Sequence, residues 1–262
     1  MFNYKPIYNN IKGSLLALLI PLLLLPNFVR SETINMAAID WCPQLCSDNK
    51  KPGYIKDIVY TIFAESPYQL KIDIFPWSRA IKYVRSGKYQ VLLSPAKAEA
   101  PDLIYPKNEV GLQRMCFFTW SDSTWQYQGN SSLKNLEIGM AVDTSIGKLN
   151  TYFINNKNQF QLMPYNDSYL NNSLKKLKAR RIDTFIFTLN STLYHLNTND
   201  LQNVYSPAGC VSSEKIYMAF TPNLRQKEMV TSAINYFDEK MKQLKGSQQL
   251  KQIMSKYGLE PW

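Results

Sequence analysis

From Thr33 to Ser94 the chain alternates between the two hydrophobic periods. Ile34 to Ile39 reads as a buried strand. Ile55, Ile58, Val59, Ile62 and Phe63 recur at helical spacing and mark one face of an amphipathic helix. Leu70, Ile72 and Ile74, interleaved with Lys71 and Asp73, give a half-buried strand. A second helix carries Ala80, Ile81 and Val84 and stops at Gly87, and Val91-Leu92-Leu93 follows as a strand. Strand, helix, strand, helix, strand predicts an α/β fold, a mostly parallel sheet covered by helices.

After a polar linker at Asn130-Ser131-Ser132 the pattern restarts. Leu136 to Val142 predicts a strand, and Thr144-Ser145-Ile146-Gly147 a turn opening a helix through Leu149, Tyr152 and Phe153. Leu170, Ser173, Leu174 and Leu177 make an amphipathic helix that runs into the strand Thr184 to Phe187. Ile81, Val84 and Gln90 stand where Leu174, Leu177 and Asp183 stand 93 residues later, a weak internal echo that favours two similar lobes. The tail is helical: Val230, Ala233, Ile234, Phe237, Met241 and Leu244 form one stripe, broken at Gly246. Leu250, Ile253, Met254 and Tyr257 form another, capped by Gly258. Helices that follow a second lobe need a sheet face already made, so the chain is expected to cross back to the first.

The first thirty-one residues stand apart. Lys5 and Lys12 supply a positive start, Leu15 to Ile20 and Leu22 to Leu25 an apolar run interrupted by Pro21, and Val29-Arg30-Ser31 small residues suited to cleavage after Ser31. The apolar run is short of the roughly 20 residues of a spanning helix. Residues 1–31 therefore read as a signal peptide and the mature chain as periplasmic. Losing Lys5, Lys12 and Arg30 and no acid lowers the formal charge from +10 to +7. Those cations are spread singly, and the densest group, Lys175, Lys176, Lys178, Arg180 and Arg181, reads as the solvated end of a helix, so nucleic acid is not an expected partner.

All four cysteines fall in the exported part, where thiols oxidise. Cys42 and Cys46 are close enough to staple their own loop, which leaves Cys116 and Cys210 as a long-range pair. The lone histidine, His195, is far in sequence from the close cysteine pair, so no metal site is expected. There is no nucleophile–base pair and no phosphate loop, and no cofactor is implied.

Asp40-Trp41-Cys42-Pro43, Pro52-Gly53-Tyr54 with Asp57, Phe75-Pro76-Trp77-Ser78-Arg79-Ala80, Ser86-Gly87-Lys88-Tyr89, Arg181-Ile182-Asp183, Ile216 to Phe220 and Tyr257-Gly258-Leu259 together resemble the periplasmic solute-binding proteins of the amino-acid type, bacterial extracellular solute-binding family 3. The resemblance spans nearly all of the mature chain and implies a two-lobed fold joined by two hinge crossings. Lobe one is expected from about residues 32–112 and 220–262, and lobe two from 113–219. It also implies a monomer that closes on a small polar solute and works with an ABC-type importer, or with a membrane sensor. Two other readings stay open: an enzyme on the same fold with dehydratase-like chemistry, and an adaptor that binds no solute.

Ligands of open α/β sheets sit beyond the carboxyl ends of the strands. On that rule, and on the resemblance, the expected ligand-binding residues are Asp40, Trp41, Tyr54, Trp77, Ser94, Lys97, Thr144, Ser145 and Thr188. Trp77 would wall the ligand by stacking, and Thr144 and Ser145 would offer hydroxyls at a helix start. The sequence departs from the family where an amino acid is usually held. No Arg follows Ser94 in the run to Asp102, and Thr188 stands where an Asp is usual. Lys97 offers charge without the planar fork of Arg.

Overall fold

The computed structural model describes residues 1–5, 32–48, 50–142, 144, 146–164, 166 and 168–262. Most of the proposed signal peptide and Ser145 lie outside them. Residues 1–5 have no regular secondary structure and belong to a separate unit, Met1–Ser31, while Glu32–Trp262 form the other.

The first strand, β1 (Glu32–Ala38), pairs in parallel with β2 (Tyr68–Ile74) and β3 (Val91–Ala96). The connections are α1 (Tyr54–Phe63) and α2 (Trp77–Arg85), each helix placed by the apolar spacing described above. Gly53 precedes α1 at φ 101°, where a Cβ would come 2.5 Å from the Gln44 carbonyl oxygen, so glycine is required there. The second set comprises β4 (Gly111–Trp120), β5 (Ile138–Ala141), α3 (Asn150–Asn155), β6 (Phe160–Met163), α4 (Tyr169–Lys178), β7 (Thr184–Thr188) and α5 (Leu189–Thr198). Then β8 (Tyr205–Phe220) returns, and α6 (Lys227–Leu244) and α7 (Gln248–Ser255) close the chain.

Among the described residues, eight strands form one sheet in the order β2-β1-β3-β8-β4-β7-β5-β6. Its ends are parallel, β2-β1-β3 and β7-β5-β6, and its middle is antiparallel. The 16 residues of β8 explain how two lobes share one sheet: Ile216–Phe220 pairs with β3, while Tyr205–Ile216 pairs with β4. β4 and β8 thus carry the chain across between the lobes, side by side.

The cores divide accordingly. Ile34, Ile58, Met218, Phe237 and Met254 belong to one cluster, formed where α1, α6 and α7 pack on β1, β3 and β8, and Ala37, Val84 and Leu92 to another under α2. Phe118, Phe185 and Leu177 belong to a third, and Phe117, Ile138 and Ile186 to a fourth, on the two faces of the β4-β7-β5 region. Both disulfides are formed, Cys42–Cys46 within its loop and Cys116–Cys210 across directly paired positions of β4 and β8.

The structure changes the local picture in several places. Helix α3 starts at Asn150 after a single 3-10 turn at Gly147–Leu149, with Ile146 and Leu149 at the start positions and no side-chain cap, so Thr144 does not open the helix. Asn130–Leu133 is a turn of 3-10 helix with Leu133 buried, more than a polar linker. Cys210 lies inside β8.

Candidate functional site

The loop after β1 is built tightly. Asp40 accepts from the Ser47 backbone N–H at 3.1 Å and its hydroxyl at 2.8 Å, and Trp41 and Leu45 exchange backbone hydrogen bonds at 2.6 and 2.9 Å around the Cys42–Cys46 disulfide. This loop meets the first turn of α5. Ser191 Oγ donates to the Cys42 carbonyl at 3.0 Å and lies 3.4 Å from Gln44 Nε2. Next to it, Asn190 Nδ2 donates to the Tyr54 hydroxyl at 3.2 Å. Further along α5, Asn197 Nδ2 donates to the Gly258 carbonyl at 2.9 Å, and Leu193 and Tyr194 pack against the cluster of Ile34, Ile58 and Phe237. Helix α5 follows β7 yet is fastened along its length to the loop after β1, to Tyr54 of α1 and to the chain end at Gly258.

Beside that contact lies a pocket of about 530 Å³ walled by the loop after β1 and by the α4–α5 side. The loop side gives Asp40, Trp41, Cys42, Cys46, Ser47 and Asp48, and the α4–α5 side gives Asn166, Tyr169, Leu170, Phe187, Ser191, Tyr194 and His195. Tyr169 and Phe187 rings lie 4.7 Å apart, and the Tyr169 hydroxyl donates to the Ile186 carbonyl. Partial burial lowers the His195 pKa from its ordinary 6.5, which keeps the ring neutral at neutral pH. Its Nε2 lies 3.2 Å from Asn171 Oδ1.

Of the expected ligand residues, Asp40 and Trp41 line this pocket; Trp77, Ser94, Lys97, Thr144 and Thr188 do not. Trp77 is half-buried at the start of α2 against the cluster of Ala37 and Leu92. Ser94, buried at φ 67°, donates its hydroxyl to the Leu93 carbonyl. Lys97 Nζ sits 5.7 and 5.0 Å from the ring centres of Tyr105 and Tyr217, which already engage its charge. Nearby, Glu99 accepts from the Ala96 backbone N–H at 2.7 Å, while partial burial raises its carboxyl pKa. Tyr54 is fully buried in the lobe-one core, and that burial pushes its phenol far up, so it acts as a neutral tie to Asn190.

Thr188 ends β7 beside Met115 of β4, 5% exposed, and its Oγ1 is buried with no hydrogen-bond partner among the described residues. Arg114 Nε, one residue along β4, is in the same state, as is Gln44 Oε1. Buried polar atoms are normally paired, so the Thr188 hydroxyl is a group that a further molecule can meet. Sequence reasoning missed Arg114, although a lone cation inside Gly111–Trp120 was the available signal. It also missed Ser191, because Leu189–Thr198 carries several Asn, Ser and Thr and only a weak apolar stripe. Among the described residues no group of His, Cys, Asp or Glu could hold a metal ion.

No family model matches the chain. No curated protein matches it either. Solved structures do. A probable amino-acid ABC transporter extracellular-binding protein from Bacillus subtilis superimposes with a TM-score of 0.65 at 16% identity, covering 87% of this chain and 97% of that one. The L-cystine solute receptor of Neisseria gonorrhoeae, in an unliganded open conformation, gives 0.65 at 14% identity, covering 89% and 96%. A histidine kinase sensor domain with similarity to periplasmic binding proteins gives 0.60 at 20% identity, covering 88% and 99%. The chain therefore has the two-lobed periplasmic-binding-protein fold. Within that class, its pocket lies between the loop after β1 and the α4–α5 face.

Proposed function

We propose that this chain is an exported solute-binding protein that captures a small polar molecule between its lobes and delivers it to an ABC-type importer. The observation that carries the reading is the pocket walled by both lobes. A ligand that touches both can shift the balance between open and closed forms, whereas one that contacts them equally in both states shifts nothing. The low similarity to cystine and amino-acid binding proteins adds weight to membership of family 3 and to a solute of amino-acid size. The division of the cores supports lobe boundaries near residues 112 and 219. Periplasmic location after cleavage at Ser31 and a monomeric state belong to the same reading, as does the absence of catalysis, although one structural neighbour is an ancestral amino-acid-binding precursor of a dehydratase.

A second reading has its own observation: the kinase sensor domain is covered over 99% of its length. In that reading the lobes still close on a solute, and the closure is read by a membrane partner. Small-angle scattering of the mature chain against a library of metabolite-sized solutes tests the shared step. The expected result is a smaller radius of gyration and a raised melting temperature with one chemical class, since a ligand at 100 times its Kd adds about 2.7 kcal/mol. A library without any effect on either quantity removes the solute-binding reading.

A further inference from the structure

We infer that the pocket between the Cys42–Cys46 loop and helices α4 and α5 takes a small organic cation, an amine carried on an apolar or aromatic body. This rests on the solute-binding reading and names the class of solute. Among the described residues, the charged side chains that line the pocket are the carboxylates of Asp40 and Asp48, and none is Lys or Arg. His195, the remaining titratable base in the lining, is kept neutral by burial and adds no charge near pH 7. Two lysines touch this loop or its facing ring: Lys56 Nζ donates to the Cys46 carbonyl at 2.7 Å and interacts with the Asp40 charge, and Lys51 Nζ stands 6.0 Å from the Tyr194 ring centre. Among the described residues neither Asp40 nor Asp48 makes an ion pair.

Much of the remaining lining is aromatic. Trp41, Tyr169, Phe187 and Tyr194 line one cavity, and Lys51 over Tyr194 already shows one of these rings facing a cation. Ring faces attract cations, and most strongly once water is excluded. Lys56 offsets part of the Asp40 charge, but Asp48 makes no ion pair among the described residues, so closing the lobes over this lining leaves negative charge in excess, which is costly and which an amine offsets. A carboxylate ligand meets the opposite situation, because the cations a binding protein of this fold would use are elsewhere. Lys97 is held over Tyr105 and Tyr217, and Arg114 does not line the pocket. The rest of the lining, Ser191 and Asn166 among it, can hydrogen-bond a polar group on the same solute.

Calorimetric titration of the mature chain with phenylethylamine and diaminobutane, against phenylpropionate and phenylethanol as charge-reversed and neutral counterparts, tests the class. The amines are expected to bind saturably and the counterparts not. Asp48→Asn, whose side chain keeps an acceptor for the Lys50 N–H, should weaken amine binding about tenfold while leaving the unliganded melting temperature unchanged. Asp40→Asn should weaken it further, with Tyr194→Leu as a variant that removes a ring and no charge. Amine binding that survives Asp48→Asn and Asp40→Asn undiminished overturns the assignment, as does phenylpropionate or phenylethanol binding as well as the amines. Compaction by a non-cationic library solute with no response to amines sinks the cation and leaves solute binding standing, whereas silence from amines and library alike removes both.

Discussion

Thr188 shows most directly how one side chain can separate a structural role from a binding role. Its Oγ1 is buried and unpaired among the described residues, and leaving a hydroxyl so costs roughly 1–3 kcal/mol. Val has nearly the same shape without that hydroxyl. Thr188→Val is therefore expected to leave the unliganded melting temperature unchanged or raise it by a few degrees, since an unmet polar group disappears. If Oγ1 meets the solute, the same variant reduces the ligand-induced rise in melting temperature. A clear destabilisation of the unliganded protein would show instead that the hydroxyl already has a partner. The sequence pointed to Thr188 through its position after a strand and through the family resemblance. It could not show that Lys97 is held between Tyr105 and the distant Tyr217, or that Tyr54 is core, because both outcomes depend on tertiary packing.

At the scale of elements, strands and helices with a strong period were legible and those without were not. α1, α2, α4, α6 and α7 follow apolar stripes that any reading of spacing finds. β6 is four residues at the sheet edge, and α5 is rich in residues that favour caps and turns, so tertiary contact decides both. That is why half of the pocket was out of reach: its α5 wall comes from a helix the pattern does not announce. The pairing of Cys116 with Cys210 was legible by contrast, because Cys42 and Cys46 take each other and leave one partner each. That bridge closes a separation of 94 residues between β4 and β8, and a loop so long is worth about 2–5 kcal/mol of restricted unfolded-state freedom. Reduction of both disulfides, or Cys116→Ser with Cys210→Ser, should lower the melting temperature by several degrees. Cys42→Ser with Cys46→Ser closes only a separation of 4 and should cost less globally while speeding amide exchange at the start of α5. Equal losses of stability for the two pairs would contradict this ordering.

Across the whole molecule, the two crossings and the chain end converge on one carboxylate. Glu109 lies just ahead of β4 with its side chain 8% exposed, and it pairs with Lys245 after α6 at 2.6 Å and with Lys215 of β8 at 3.2 Å. Its Oε1 also accepts from the Trp262 indole at 3.1 Å. Burial alone would raise its pKa; the hydrogen bonds from Lys245 and Lys215 overcome that and lower it from 4.5 to about 2. A carboxylate whose folded pKa is depressed contributes stability that is fully present above its ordinary value and drains away as pH falls through the folded one. For Glu109 the window runs from about pH 5 down to about 2, and acid should loosen the crossings along with the packing of the C-terminal helices. Glu109→Gln keeps the shape and removes the charge, leaving Lys215 and Lys245 without their shared partner. The cost at neutral pH should be about 1–3 kcal/mol, below that of a fully enclosed pair because both lysines reach water. Melting curves recorded from pH 7 to pH 2.5 should converge for wild type and variant as acid removes from the former what the substitution removed from the latter. Curves that fall in parallel over that range would mean that Glu109 does not carry the acid sensitivity of the crossings.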